Sequence, residues 1–256
     1  FERAIGMCTG ELIALCDQDD VWPAHKLARI VPEFQRHPGV ALVFTDGMVV
    51  DERLRPTGAR LWESFGITPR MVRRVARGEA FPLLTGRNLV TGAAMVFRAD
   101  LVPLALPVPE DTARIHDGWI ALVAAAAAEV VMIGEPLLLY RRHESQQVGP
   151  GSPAEWNPGL LERLFRSLRA QPGSYLGEIQ ALEATRGSLA GRWSGFAESR
   201  AARQLDGKIA NLRARAALPR GLLRRLPVVL RELTALRYHR FAEGMWSAAR
   251  DLVGGS

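Results

Sequence analysis

Residues 10–22, GELIALCDQDDVW, decide the fold class expected for this chain. Residues 11–16 form a compact apolar run, the pattern of a buried parallel strand, and three aspartates follow it directly. Side chains alternate along an extended segment, so Asp17 and Asp19 can point the same way while Asp20 turns aside. Ligand sites of open α/β sheets lie at the carboxyl ends of strands. The segment therefore predicts a site at these acids, with a solvated turn as the alternative.

Alternating strands and helices extend outward from this segment. Pro23 suits the first turn of a helix that reaches about Arg36. Apolar runs then predict further strands, separated by helical patterns, at residues 40–45, 88–98, 130–133 and 136–140. Strands that alternate with helices indicate an α/β domain with a largely parallel sheet, which we assign to residues 1–149.

The chain changes character after residue 148. Residues 149–153, GPGSP, have the composition of a linker, and the remainder carries helical spacing with almost no strand signal. Residues 151–256 hold 17 basic and 9 acidic side chains, whereas residues 1–150 hold 16 and 18. We therefore predict a basic, all-helical extension over residues 150–256. Its charge indicates an anionic partner such as a membrane surface, with a solvated helical surface as the alternative.

Residues 237–252 predict one basic amphipathic helix at the end of this extension. Its apolar side chains fall near one face, with arginines beside them. The apolar members are Phe241, Met245, Trp246, Ala249 and Leu252, and the arginines are Arg237, Arg240 and Arg250. Such a helix can lie in a membrane interface. Packing against neighbouring helices is the alternative.

Composition excludes several classes of protein. With 48% hydrophobic and 23% charged residues among 256, the chain is neither a collagen, a disordered tail nor a coiled-coil rod. Cys8 and Cys16 cannot form a disulfide framework or a four-ligand zinc site by themselves, and we interpret them as small core residues. No apolar run reaches the roughly 18 residues that span a bilayer.

Four blocks of sequence occur in a specific order along residues 1–149. They are DQDDVW at 17–22, TGAAMVFR at 91–98, HDGW at 116–119 and EPLLLYRRH at 135–143. Together they resemble the family 2 glycosyltransferases of the GT-A fold, and in particular their bacterial rhamnosyltransferase-like branch. The resemblance implies a partial, Rossmann-like GT-A domain. It also implies that this chain is truncated at its N-terminus and lacks the segment that binds the base and ribose of the nucleotide.

The resemblance implies a role for each matching residue. Asp17 and Asp19 would hold a divalent cation, Mg²⁺ or Mn²⁺, with Asp17 also near the donor nucleotide and His143 as a third ligand. Asp117 would be the general base, and its place at the start of a helix predicts an ionised, weaker base. The diphosphate would contact Arg141 or Arg142, and the acceptor would contact Gly92, His116 and Trp119. The alternatives are a loop histidine at 143 and a core tryptophan at 119.

The expected function is inverting, metal-dependent transfer of a sugar, with rhamnose favoured. The donor would be a dTDP- or UDP-sugar and the acceptor a cell-surface polysaccharide or lipid-linked glycan. We expect a cytoplasmic protein, in peripheral contact with the inner membrane, and no nucleic acid partner. The alternative is a catalytically incomplete module whose basic helical region binds a membrane or another anionic partner. A phosphotransfer enzyme is a weaker rival because the partner motifs of that chemistry are absent from the sequence.

Overall fold

The computed structural model describes residues 1–142, 174–219, 221–242 and 244–253. The chain divides into two units, the first formed by Phe1–Glu110 and Arg114–Asn157, the second by Asp111–Ala113 and Pro158–Ser256. The predicted boundary between residues 149 and 150 lies outside the described residues, so the domain limits stay a prediction.

The first unit is built on a mixed five-stranded sheet. Its strands are β1 (Leu12–Ala14), β2 (Val40–Val50), β3 (Pro56–Arg60), β4 (Met95–Arg98) and β5 (Glu129–Arg141). The central strand β2 pairs with β5 on one side, and with both β4 and β3 on the other. β1 pairs with β4 and so stands at the opposite edge.

The α/β class is confirmed, but the expectation of a largely parallel sheet is wrong. Among the described strands only the β2–β5 pairing is parallel, whereas β1–β4, β2–β4 and β2–β3 are antiparallel. An apolar run is typical of parallel strands because they are buried on both faces, but an antiparallel strand that is covered on both faces shows the same run. Direction depends on the connections, which the pattern of apolar residues does not specify.

Short helices fill the connections of the first unit. They are α1 (Glu2–Gly6), α2 (Lys26–Arg36), α3 (Leu61–Ser64), α4 (Pro69–Val75), α5 (Ala80–Leu84), α6 (Val102–Ala105) and α7 (His116–Ala127). α2 contributes Ile30 and Phe34 to a core cluster with residues of β2, β4 and β5. α7 is buried on every side from Asp117 to Ala124, so its first turn is fixed by the core. Both cysteines are exposed, which corrects their interpretation as core residues.

The described residues of the second unit form helices joined by short loops and contain no strand, as predicted. Its helices are α8 (Ser174–Arg192), α9 (Arg200–Ala216), α10 (Leu222–Thr234), α11 (Arg237–Phe241) and α12 (Met245–Val253). The expected single helix over 237–252 is interrupted between α11 and α12, where Gly244 has a φ of +62°. A positive φ ends right-handed helical geometry, and glycine adopts it without a steric penalty.

Buried ion pairs hold the second unit together. Arg215 donates to Asp251 at 2.7 Å, and the Tyr238 hydroxyl donates to the same carboxylate at 2.7 Å. Glu232, wholly buried, accepts from Asn211 and from Arg237, each at 3.0 Å. Among the described residues, no helix is long and apolar enough to cross a membrane.

Candidate active site

The loop after β1 brings two predicted site acids together at a partly buried position. Asp17 and Asp19 are both half-buried. Burial raises the pKa of Asp17 above its ordinary value, and the negative charges of Asp19 and Asp117 raise it further. His116 opposes this with positive charge when it is protonated. Two sequence blocks that lie about a hundred positions apart therefore share one electrostatic cluster.

Asp20 and Arg141 attach this loop to the end of β5. The Asp20 Oδ1 atom accepts from the Arg141 backbone N–H at 3.0 Å, and Val21 exchanges backbone hydrogen bonds with Leu139. The Arg141 guanidinium donates to the Asp19 carbonyl at 2.7 Å and to the Glu52 carbonyl at 2.9 Å. The side chain of Arg141 thus contacts the loop backbone, while Arg142 is exposed.

The pKa of Asp20 is raised to about 6, mainly by burial and further by the charges of Asp19 and Asp17. Its Oδ2 atom is buried without a hydrogen-bond partner among the described residues. A buried carboxylate oxygen without a donor favours the protonated form, because the charge is poorly solvated there.

We expect the wild type to lose stability as the pH rises, because Asp20 must then ionise while it is buried. Asp20→Asn is expected to abolish this loss. The folded pKa of about 6 lies above the ordinary value of 3.8, so the folded state holds more protons between these values. Protonated Asp20 contributes fully to the free energy of unfolding below pH 3.8, and this contribution is lost as the pH rises through about 6. Urea unfolding in EDTA at about pH 4.5 and about pH 7.5 measures the difference. The exposed Asp100→Asn is the control, and identical pH profiles for wild type and Asp20→Asn would contradict the assignment.

Asp117 lies in the first turn of α7 with its carboxylate almost fully buried. Oδ1 accepts from the Asn88 side chain at 3.0 Å and from the Gly118 backbone N–H, and Oδ2 accepts from the Gly92 N–H at 3.2 Å. Burial raises its pKa, although His116 and these donors act in the opposite direction. The expectation of a weaker base at the helix start is thus corrected, because desolvation outweighs the helix N-terminus.

Gly92 brings the segment before β4 against the first turn of α7. A Cβ atom at Gly92 would lie 3.4 Å from His116 Nε2, 3.6 Å from Asp117 Cβ and 3.6 Å from Leu15 Cδ1. The His116 ring is half-buried and stacks on Phe1 with a centroid distance of 3.9 Å. Burial lowers the pKa of His116. Gly92 and His116 therefore both border the Asp117 carboxylate, as two of the three predicted acceptor residues.

Trp119, the third predicted acceptor residue, lies in the core and not beside the Asp117 carboxylate. Its side chain is wholly buried, and its indole N–H donates to the Ala105 carbonyl at 2.7 Å. A residue in this position cannot touch an acceptor, so the expectation of an acceptor contact is contradicted and the core interpretation is supported. The cause is the direction of the side chain: the Trp119 indole reaches the Ala105 carbonyl at the end of α6, whereas His116 at the start of α7 is half-buried.

Sequence reasoning missed two polar residues of this region, Asn88 and Lys26. Asn88 donates to Asp117 and accepts from the Val90 N–H at 3.0 Å, so both ends of its amide are engaged. Lys26 is buried, donates to the Ala93 carbonyl and lies 4.1 Å from the centre of the Trp22 ring. Burial lowers its pKa to about 8. Lys26 follows the DQDDVW block by four positions and belongs to the segment that carries the family resemblance, but that resemblance assigned it no role.

Asp17 and Asp19 supply two half-buried carboxylates that repel each other, a set of oxygen donors whose charge a hard divalent cation would offset. Within residues 1–142 and the described parts of the second unit, no three His, Cys, Asp or Glu side chains gather into a complete metal site. His143 lies outside the described residues, so its expected role as a ligand stays a prediction. Mg²⁺ and Mn²⁺ commonly use one or two carboxylates and take their other ligands from phosphates and water.

Comparison with known proteins gives distant relatives. No protein-family model matches the chain. A protein of Nostoc is 27% identical over 150 residues, which are 56% of this chain and 43% of the relative. That relative is named an uncharacterized glycosyltransferase. Uncharacterized proteins of Mycobacterium bovis and Mycobacterium tuberculosis are each 29% identical over 144 residues, 56% of this chain and 38% of the relative. The chain spans about two fifths of the length of these curated relatives.

Proposed function

We propose that this chain carries the catalytic residues of an inverting glycosyltransferase. The observation that supports this most is that Asp17, Asp19 and Asp117, which two separate sequence blocks supply, share one electrostatic cluster, in which the Gly92 N–H donates to Asp117. The likeness to a Nostoc protein named as a glycosyltransferase supports the same reaction class. The proposed donor is a dTDP- or UDP-sugar, with rhamnose favoured, and the proposed acceptor is a surface polysaccharide or lipid-linked glycan.

In this proposal Asp117 removes the proton of the acceptor hydroxyl. The hydroxyl oxygen attacks the anomeric carbon of the donor sugar, the bond to the diphosphate breaks on the opposite face, and the proton passes to the carboxylate. A pKa raised by burial makes the carboxylate a stronger base than an exposed aspartate would be. A Cβ atom at Gly92 would contact His116 and Asp117, so glycine lets the segment before β4 lie close to the proposed base.

The donor diphosphate would lie by the loop after β1. Asp17 and Asp19 would hold Mg²⁺ or Mn²⁺, which when bound offsets the negative charge that develops on the departing nucleoside diphosphate. Arg141 already contacts the carbonyls of Asp19 and Glu52, so its role is to position the loop. Exposed Arg142 is the better candidate for a diphosphate contact, since a guanidinium donates two parallel hydrogen bonds to phosphate oxygens.

The test is turnover of a panel of nucleotide sugars with Mn²⁺ or with EDTA. Both this chain and the Nostoc relative are assayed, because this chain spans only about two fifths of its relatives' length. Release of the nucleoside diphosphate from one donor, dependent on metal, would support the proposal and identify the sugar. Absence of both turnover and nucleotide binding in the two proteins would favour the binding-module alternative.

Asn88 is expected to be a positioning residue for Asp117. Asn88→Ala removes one donor to the ionised carboxylate, so the pKa of Asp117 should rise and kcat should fall by about 10-fold. The measurement is kcat against pH, in which the acidic limb should move to higher pH. An Asn88→Ala variant with lower kcat and an unmoved acidic limb would show a merely structural role.

A further inference from the structure

Two helices of the second unit expose apolar side chains that its core does not use. α10 exposes Leu223 to 81%, and Leu222, Leu226 and Leu230 are also exposed. α12 exposes Trp246 to 60%, together with Met245 and Val253. Positions 223, 226 and 230 recur at helical spacing and therefore share one face of α10.

The buried sides of these helices face each other. α10 and α12 are in contact, and Val229, Tyr238 and Ala248 form the cluster between the last three helices. On α10 the buried positions 225, 229 and 232 lie on a neighbouring side of the helix, roughly 100° around the axis from the centre of the exposed leucines. The core of this unit is thus made without the exposed leucines and without Trp246.

Exposed charge on these helices is positive. Within the described part of residues 221–253, both carboxylates, Glu232 and Asp251, are buried in ion pairs. The helices α10 and α11 carry exposed arginines, Arg224 and Arg231 on α10 and Arg240 on α11. Arg231 is 67% exposed although it lies 3.6 Å from Glu232. The surface therefore combines large apolar groups with positive charge and shows no exposed carboxylate among its described residues.

We propose that this surface docks on a membrane that contains anionic lipids. We define the α10–α12 face as Leu222, Leu223, Leu226, Leu230, Met245, Trp246 and Val253 with Arg224, Arg231 and Arg240. The apolar side chains would enter the boundary between headgroups and acyl chains, and the arginines would contact lipid phosphates. Trp246 has the ring preferred at this depth. The charge of the face selects an anionic surface over a neutral one.

This face differs from the one expected for residues 237–252. Phe241 and Leu252 are half-buried, and the leucines of α10, which the sequence analysis did not single out, supply much of the exposed apolar surface. The proposal goes beyond glycosyl transfer and does not depend on it, since all its residues lie in the second unit.

The test uses the full chain and sedimentation with vesicles of phosphatidylcholine, alone or with roughly 30% phosphatidylglycerol. We expect the partition coefficient to be at least about 10-fold higher with the anionic vesicles at low salt. Leu223→Gln with Trp246→Gln should lower it by about 10-fold or more, because two apolar groups are lost. Arg224→Gln with Arg240→Gln should lower it by about 5-fold for each arginine and reduce its salt dependence. The matched control is Leu176→Gln with Arg200→Gln, at exposed positions of α8 and α9, and it should bind as wild type does.

Far-ultraviolet circular dichroism and urea midpoints establish that each variant is folded. Equal binding by wild type and the Leu223→Gln, Trp246→Gln variant would overturn the proposal. Absence of binding to either vesicle would also overturn it. If those two substitutions instead convert a dimer into a monomer in analytical ultracentrifugation, without any vesicle binding, the face joins two copies of this chain and the membrane proposal is wrong.

Discussion

Asp117→Asn is expected to lower kcat for sugar transfer by about 10³-fold, within the range that general base catalysis contributes. The amide has nearly the same size as the carboxylate but cannot take up the acceptor proton. The amide oxygen can still accept from Asn88 and Gly118, but the amide NH2 would then face the Gly92 N–H, so we expect the variant to fold with some cost in stability. The measurement is initial rates with a saturating donor, together with donor binding by calorimetry.

Two results would separate a base from a merely structural acid. Donor affinity of Asp117→Asn should stay within about 3-fold of wild type, because the base acts on the acceptor and not on the nucleotide. Asp100→Asn, an exposed carboxylate of the same unit, should retain full activity. A folded Asp117→Asn variant with near wild-type kcat would rule out Asp117 as the base.

Asp17→Asn and Asp19→Asn are expected to lower metal-dependent turnover by about 10²-fold each. Removing either carboxylate takes away an oxygen donor for the cation and part of the negative charge that attracts it. The loss should appear chiefly as a higher Mn²⁺ concentration for half-maximal rate. Titration of Mn²⁺ against the initial rate measures this directly, with Asp100→Asn again as the control.

Stability in EDTA supplies an independent readout for the same two variants. The charge of Asp19 raises the pKa of Asp17, which means that the two carboxylates repel each other when no cation is present. Either substitution should therefore raise the free energy of unfolding in EDTA at neutral pH. In Mn²⁺ the wild type should be more stable than either variant, because only the wild type gains stability from bound metal. Variants that keep both full activity and the wild-type response to Mn²⁺ would show that these acids hold no cation.

The prediction of an acidic site from residues 10–22 depended on local features alone. An apolar run followed by alternating acids is enough to place Asp17 and Asp19 after a strand, and β1 lies within the expected run. Its length was overestimated, since only Leu12–Ala14 pairs, with β4. Apolar residues extend past the end of β1, and Leu15 is buried beside Gly92 without belonging to the strand.

Orientation of side chains was predicted less well. Trp119 follows His116 by three positions in the same block, so sequence could not separate a cleft residue from a core residue. Arg141 and Arg142 are neighbours in the chain, so the sequence could not show which of them faces the site. In the structure the Arg141 guanidinium donates to the carbonyls of Asp19 and Glu52. Asn88 gave no signal because its partner, Asp117, is 29 positions away.

Local patterns along the chain were enough to predict the α/β class, the helical and basic character of the C-terminal region, and the residue types of the candidate site. These follow from composition, from hydrophobic periodicity and from neighbours along the chain, which are all local properties. Four properties required the folded structure, namely the direction of the strands, the burial of Trp119, the raised pKa of Asp117 and the exposure of the α10 leucines. Each of these depends on which distant segment covers a given face, and desolvation and packing are set by that contact rather than by the residues beside it in sequence.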